Sequence, residues 1–80
     1  MDMFLCNHIE AKTMANMAQV NKAIRQRFQK LDIEAIRGDG YVWFYGVDTV
    51  GVASVFSNPP TTPTEDMIRI CIEEIERVWG

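Results

Sequence analysis

The run Gly38-Asp39-Gly40 followed by Tyr41-Val42-Trp43-Phe44-Tyr45 sets the tightest limit on what this chain can fold into. Aromatic and β-branched side chains lose rotamer freedom against the preceding turn of a helix, and they suit a pleated strand. Residues 31–37 form a second strand-like run ahead of them. A Gly-Asp-Gly link between two such runs predicts a tight hairpin, because Gly and Asp tolerate positive φ. After a turn region over residues 46–51, a third strand is expected at 52–57, close enough in sequence for an antiparallel meander. Asn58-Pro59-Pro60-Thr61 then ends the sheet, since proline has no N–H to give to a ladder.

Helical periodicity flanks this block on both sides. Met17, Val20, Ile24, Phe28 and Leu31 step by 3, 4, 4 and 3, which lines one face of a helix beginning at Thr13 or Asn16 and ending near Lys30. Asn16 followed by Gln19 fits a capping-box start. The opposite face carries Lys22, Arg25, Gln26, Gln29 and Lys30 with Arg27 at its edge, cations gathered where the helix macrodipole favours them. The last element has the clearest start. Thr62-Pro63-Thr64-Glu65 predicts Thr62 at the N-cap, Pro63 at the first helical position and Glu65 closing a capping box. Ile68, Cys71, Ile72, Ile75, Val78 and Trp79 then form a wide apolar stripe. Asp66, Arg69, Glu73 and Arg77 make an alternating ladder on the exposed side. The predicted fold is α+β in αβββα order, a three-stranded antiparallel β-sheet with two α-helices on one face. Residues 1–13 show no sustained period and are expected to be an N-terminal arm outside a single domain over residues 14–80.

If both helices cover one face, strand alternation decides what remains outside. Ile33, Ala35, Val42, Phe44, Ala53 and Val55 are the expected core set. Ile36, Tyr41, Trp43, Tyr45 and Phe56 are left as an aromatic surface fringed by Asp32 and Glu34. Tyr and Trp combine large contact area with a polar tip and mark interfaces. Three uses of such a face compete: cover by the arm or by a second copy in a homodimer, docking of a different protein, or stacking of nucleic-acid bases. The carboxylates, and the lack of neighbouring cations other than Arg37, argue against the third.

Charge and composition exclude other classes. Eight Lys and Arg against eleven Asp and Glu give a net charge of −3, the wrong sign for a basic nucleic-acid binder. No apolar run approaches the ~20 residues that span a bilayer, and the first residues lack the basic and apolar regions of a secretory signal, so no membrane role is expected. Two cysteines, Cys6 and Cys71, suggest no disulfide framework. The single histidine, His8, cannot build a triad or a metal site alone, and Cys6 with His8 supplies only two ligands. No phosphate loop occurs, and Gly38-x-Gly40 is too short for a dinucleotide fingerprint. The expectation is a binding protein without cofactor, metal or catalysis.

The stretch from Ile36 to Tyr45, with an amphipathic helix before it, Ser54-Val55-Phe56 after it and Thr62-Pro63-Thr64-Glu65 at the last cap, resembles small proteins of bacteriophages and mobile elements. Those proteins read as a helix, a G-[DE]-G-Y-aromatic strand, an S-V-[YF] strand and a capped terminal helix. The likeness spans roughly residues 14–79. It implies an αβββα fold, a phage or prophage origin and a place in the cytoplasm of a host bacterium, and it carries over no catalytic residue. Small acidic phage proteins without catalytic motifs are often inhibitors of host machinery, anti-CRISPR proteins being the best-known class. The resemblance therefore implies an inhibitor of a host defence complex, with a CRISPR effector as the expected partner, acting by surface blocking. On this reading Ile36, Tyr41, Trp43, Tyr45 and Phe56 bind the partner with Asp32 and Glu34, and Glu65, Asp66, Glu73 and Glu76 supply an acidic surface. The alternatives are a homo-oligomeric accessory phage protein and a single-stranded nucleic-acid-binding module using the aromatic face.

Overall fold

A chain with this alternation of periods buries its apolar faces by laying both helices on one side of the sheet, and that arrangement is observed. The computed structural model describes residues 15–56 and 62–80. The expected arm, Ser57 and the Asn58-Pro59-Pro60-Thr61 stop lie outside them. Helix α1 is Met17–Arg27, strands β1 and β2 are Glu34–Arg37 and Tyr41–Tyr45, a 3₁₀ turn covers Val47–Thr49, strand β3 is Val55–Phe56, and helix α2 is Thr64–Trp79. The sheet order is β1-β2-β3 with both pairings antiparallel, so the α+β class and the αβββα order are as expected.

The hairpin closes where the Gly-Asp-Gly run predicts. Arg37 stands opposite Val42, and the Gly38 N–H donates to the Tyr41 carbonyl at 2.7 Å. Only Gly40 takes a positive φ there, +84°, so Asp39 needs none. The core joins Val20, Ile24 and Phe28 of the first helical run to Ile33, Ala35, Val42 and Phe44 of the sheet and to Met67, Cys71 and Ile75 of α2. Met67 is fully buried although the predicted stripe omits it, whereas Trp79, inside that stripe, stays 45% exposed.

Several boundaries differ from expectation. Helix α1 stops at Arg27, with Phe28 as its C-cap donating its N–H to the Ile24 carbonyl. At its other end Asn16 caps as predicted, its side chain accepting from the Gln19 N–H at 3.3 Å. The Asn16 backbone N–H is not closed by Gln19; it donates to the Thr64 hydroxyl at 2.9 Å, tying the two helix starts together. Helix α2 begins at Thr64, so Pro63 rather than Thr62 is its N-cap. Pro63 keeps an extended ψ of 156°, and its carbonyl accepts the Met67 N–H. Glu65 and Asp66 lie in the first turn, where the exposed N–H groups favour carboxylates.

The third strand, expected over 52–57, begins only at Val55. The Val52 N–H turns back to the Thr49 carbonyl at 3.0 Å, and the Ala53 N–H donates to the Glu74 carboxylate at 2.8 Å. Both residues thus leave the ladder and the alternation resets: Ala53 is exposed, contrary to its expected core position, and Val52 packs on the core instead. Arg77 completes this clamp by donating to the Gly51 carbonyl at 3.1 Å while paired with Glu74. Hydrogen bonds from Arg77 are the main reason the Glu74 carboxyl is held below its ordinary value, and the Ala53 N–H adds to the effect against desolvation. A depressed folded pKa contributes stability that is complete above the ordinary glutamate value of about 4.3 and is lost as pH falls through the folded value. Glu74→Gln is therefore expected to reduce the loss of stability on acidification, measured as the urea midpoint at pH 7 and at pH 3. An unchanged difference between the two midpoints would remove Glu74 from this role.

Candidate functional site

Alternation along β2 separates its side chains cleanly. Val42 and Phe44 face the helices and are buried, while Trp43 and Tyr45 point away. Register across the sheet then assembles the outer face. Glu34 stands opposite Tyr45, Ile36 opposite Trp43, and Tyr41 opposite Phe56. All of the expected face residues on the strands are brought together by these pairings.

The rings interact in two pairs. Trp43 and Tyr45 meet edge to face with centroids 6.3 Å apart, and Tyr41 and Phe56 lie tilted at 6.0 Å. Such offset contacts suit the ring quadrupoles. Tyr41 is the least open of the four side chains in strand context, because its ring lies over Gly38: a Cβ built there would sit 2.4 Å from the ring. The others remain accessible, Trp43 at 36%, Tyr45 at 64% and Phe56 at 76%. A shallow groove of about 360 Å³, lined by Asp32, Phe44, Tyr45, Gly46, Val47 and Thr49, opens beside the Tyr45 ring.

The two fringe carboxylates have different circumstances. Asp32 is used by the fold: its carboxylate accepts the Val47 N–H at 3.3 Å, its backbone N–H donates to Asp48 at 2.7 Å, and its carbonyl accepts the Asp48 N–H at 3.2 Å. Glu34 is exposed, and its carboxylate makes neither an ion pair nor a hydrogen bond among the described residues.

The expected acidic surface on α2 is largely engaged internally. Asp66 and Glu73 flank Arg69 at 4.0 and 3.7 Å, as the ladder predicts. Arg77 pairs with Glu74 instead of Glu73, and Glu76 pairs with Arg27 of α1. Glu65 stays exposed in the first turn. Arg27 and Lys30 border a second groove of about 400 Å³ lined by residues 26–31 and Trp79. There Arg27 lies over the Phe28 ring at 4.8 Å, and the Trp79 indole N–H donates to the Asp48 carbonyl at 2.9 Å.

Sequence reasoning missed Asn21. It is the buried polar residue of the described core. Its side-chain amide donates to the Ala35 carbonyl at 2.9 Å and accepts the Ala35 N–H at 2.6 Å, standing in for a neighbouring strand along the outer edge of β1. The signal was present: Asn21 follows Val20 on the inner face of the helix, between core positions. Cys71 is fully buried, and desolvation pushes its thiol up to about 12, which keeps it protonated near neutrality. Among the described residues, no group of three His, Cys, Asp or Glu side chains is arranged to hold a metal, and no helix is long and apolar enough to cross a membrane. Cys6 and His8 lie outside the described residues. Compared with protein-family models, curated proteins and solved structures, the chain matches none.

Proposed function

We propose that this chain is a protein-binding module whose contact surface is the outer face of its sheet, and that it acts without catalysis by covering a surface on its partner. The observation that carries this reading is the pairing of a complete core on one face with exposed Trp43, Tyr45 and Phe56 on the other. Large aromatic side chains left open on a rigid strand, around a fully packed interior, provide contact area with little conformational entropy left to lose on binding. The resemblance to small phage proteins gives the partner class: a host defence complex, with a CRISPR effector as the leading candidate. Internal pairing of Asp66, Glu73, Glu74 and Glu76 weighs against the acidic helix as a mimic of nucleic acid and favours the sheet face as the blocking surface.

The test is capture of host complexes from phage-infected bacteria with the tagged full chain and with its Trp43→Ala and Tyr45→Ala variants. Both substitutions are expected to reduce capture of a defence complex by about tenfold or more, the loss seen when an aromatic anchor is truncated. Equal capture by the folded variants would move the contact surface elsewhere. Binding of oligonucleotides that weakens steeply with salt would favour the nucleic-acid reading instead.

A further inference from the structure

We infer that the partner surface seated on this face presents an arginine to Tyr45, Trp43 and Glu34; this rests on the proposed role of the sheet face and adds the chemistry of its occupant. Charge is distributed unevenly between the two sides of the molecule. Lys22, Arg25, Arg27 and Lys30 belong to α1 and its C-terminal end, and Arg69 and Arg77 belong to α2. Arg37, on β1, is drawn toward the start of α1, where it donates to the Ala15 carbonyl at 3.3 Å. No described cation therefore stands among the outer rings.

The charge that does stand there is Glu34, placed by register directly opposite Tyr45. Directly opposed residues in an antiparallel pair hold their Cβ atoms about 5 Å apart, so one cation can lie over the Tyr45 ring and reach the Glu34 carboxylate together. Most other described carboxylates are satisfied within the fold: Asp32 by the Val47 N–H and Asp48 by the Asp32 N–H, and Asp66, Glu73, Glu74 and Glu76 by arginines. Glu34 has no such partner among the described residues. Trp43, edge-on to Tyr45, supplies a second ring, and the groove at Tyr45 gives the aliphatic stem of a long side chain a place to lie.

Guanidinium fits this arrangement better than ammonium. It is planar, stacks on aromatic faces, is weakly hydrated, and can donate two parallel hydrogen bonds to a carboxylate while stacked. A phosphate or another acidic surface would meet an uncompensated carboxylate and no cation among the described residues. A second copy in face-to-face contact would bring rings and Glu34 together without a cation to match them.

The experiment is a titration of the ¹⁵N-labelled full chain with the blocked peptide Ac-Gly-Arg-Gly-NH₂, followed through the Trp43 indole and backbone amides of β1 and β2, beside the lysine analogue. The arginine peptide is expected to shift Glu34, Trp43 and Tyr45 signals along a saturable curve, about threefold tighter than the lysine peptide. Glu34→Gln, an exposed change that leaves the core intact, is expected to weaken it by about threefold. Equal affinity for both peptides, shifts confined to α2, or full binding by Glu34→Gln would overturn the inference, as would tighter binding of an oligonucleotide to the same rings. Capture that still depends on Trp43 alongside a failed peptide titration would retain the docking face and remove the arginine. Capture independent of Trp43 would remove the face itself.

Discussion

Replacing Asn21 with leucine is expected to lower the unfolding free energy by about 2–4 kcal/mol, because it leaves two backbone groups of one buried residue without partners. Leucine keeps the branched shape of asparagine, so the change avoids the cavity cost of a truncation to alanine. Ala35 is 1% exposed, so water cannot readily replace the amide that now serves both its N–H and its carbonyl. Against the roughly 5–15 kcal/mol that holds a typical domain together, this is a large share for one side chain. A second consequence follows from position. Asn21 covers the outer edge of β1, and an uncovered edge is a template for pairing with other chains. The variant should therefore show a lower urea midpoint and concentration-dependent association as it approaches its transition. A loss below about 0.5 kcal/mol, the scatter of ordinary surface changes, would mean that the edge is satisfied in another way.

Gly46→Ala is expected to cost about 3 kcal/mol, through backbone strain and collision together. Gly46 holds φ at +140° between β2 and the 3₁₀ turn, and a Cβ there would lie 2.0 Å from the Asp32 carbonyl oxygen. That oxygen is backbone, and it is fixed by the Asp48 N–H. Relief of the clash therefore requires the Asp32–Asp48 exchange of hydrogen bonds to open. Gly40 provides the comparison. It also has positive φ, +84°, but a Cβ there meets nothing within 4 Å. Gly40→Ala should cost about 1 kcal/mol, the conformational part alone. Thermal or urea unfolding of both variants checks the order; equal losses would show that the close approach at Asp32 relaxes at no cost.

Much of this architecture is legible in the residues because local and global preferences agree. The five residues from Tyr41 prefer a strand, the flanking glycines permit a turn, and the separation of Val42 and Phe44 from Trp43 and Tyr45 follows from alternation alone. The stepped apolar positions Val20, Ile24, Cys71 and Ile75 locate the helical faces for the same reason. What could not be read depended on contacts distant in sequence. The Ala53 N–H is taken by Glu74, 21 residues away, and this delays to Val55 a strand that local pattern starts at Val52. Asn21 sits on the inner helix face, but what its amide serves shows only once β1 is placed beside it, 14 residues on. Arg27 and Glu76, which meet across 49 residues, remove one carboxylate from the expected acidic surface. The aromatic face itself was legible through alternation; the separate circumstances of Asp32 and Glu34 were not, because they depend on a turn that folds back against the start of β1.

The most direct test of an outer face open to another protein is light scattering coupled to size-exclusion chromatography, on the wild-type chain and Trp43→Ala from about 5 to about 500 μM, bracketing the micromolar range of moderate association. The account predicts the monomer mass for both proteins across the whole range. A wild-type dimer that falls to monomer in Trp43→Ala would contradict it, because the rings would then be engaged by a second copy and closed to any other partner.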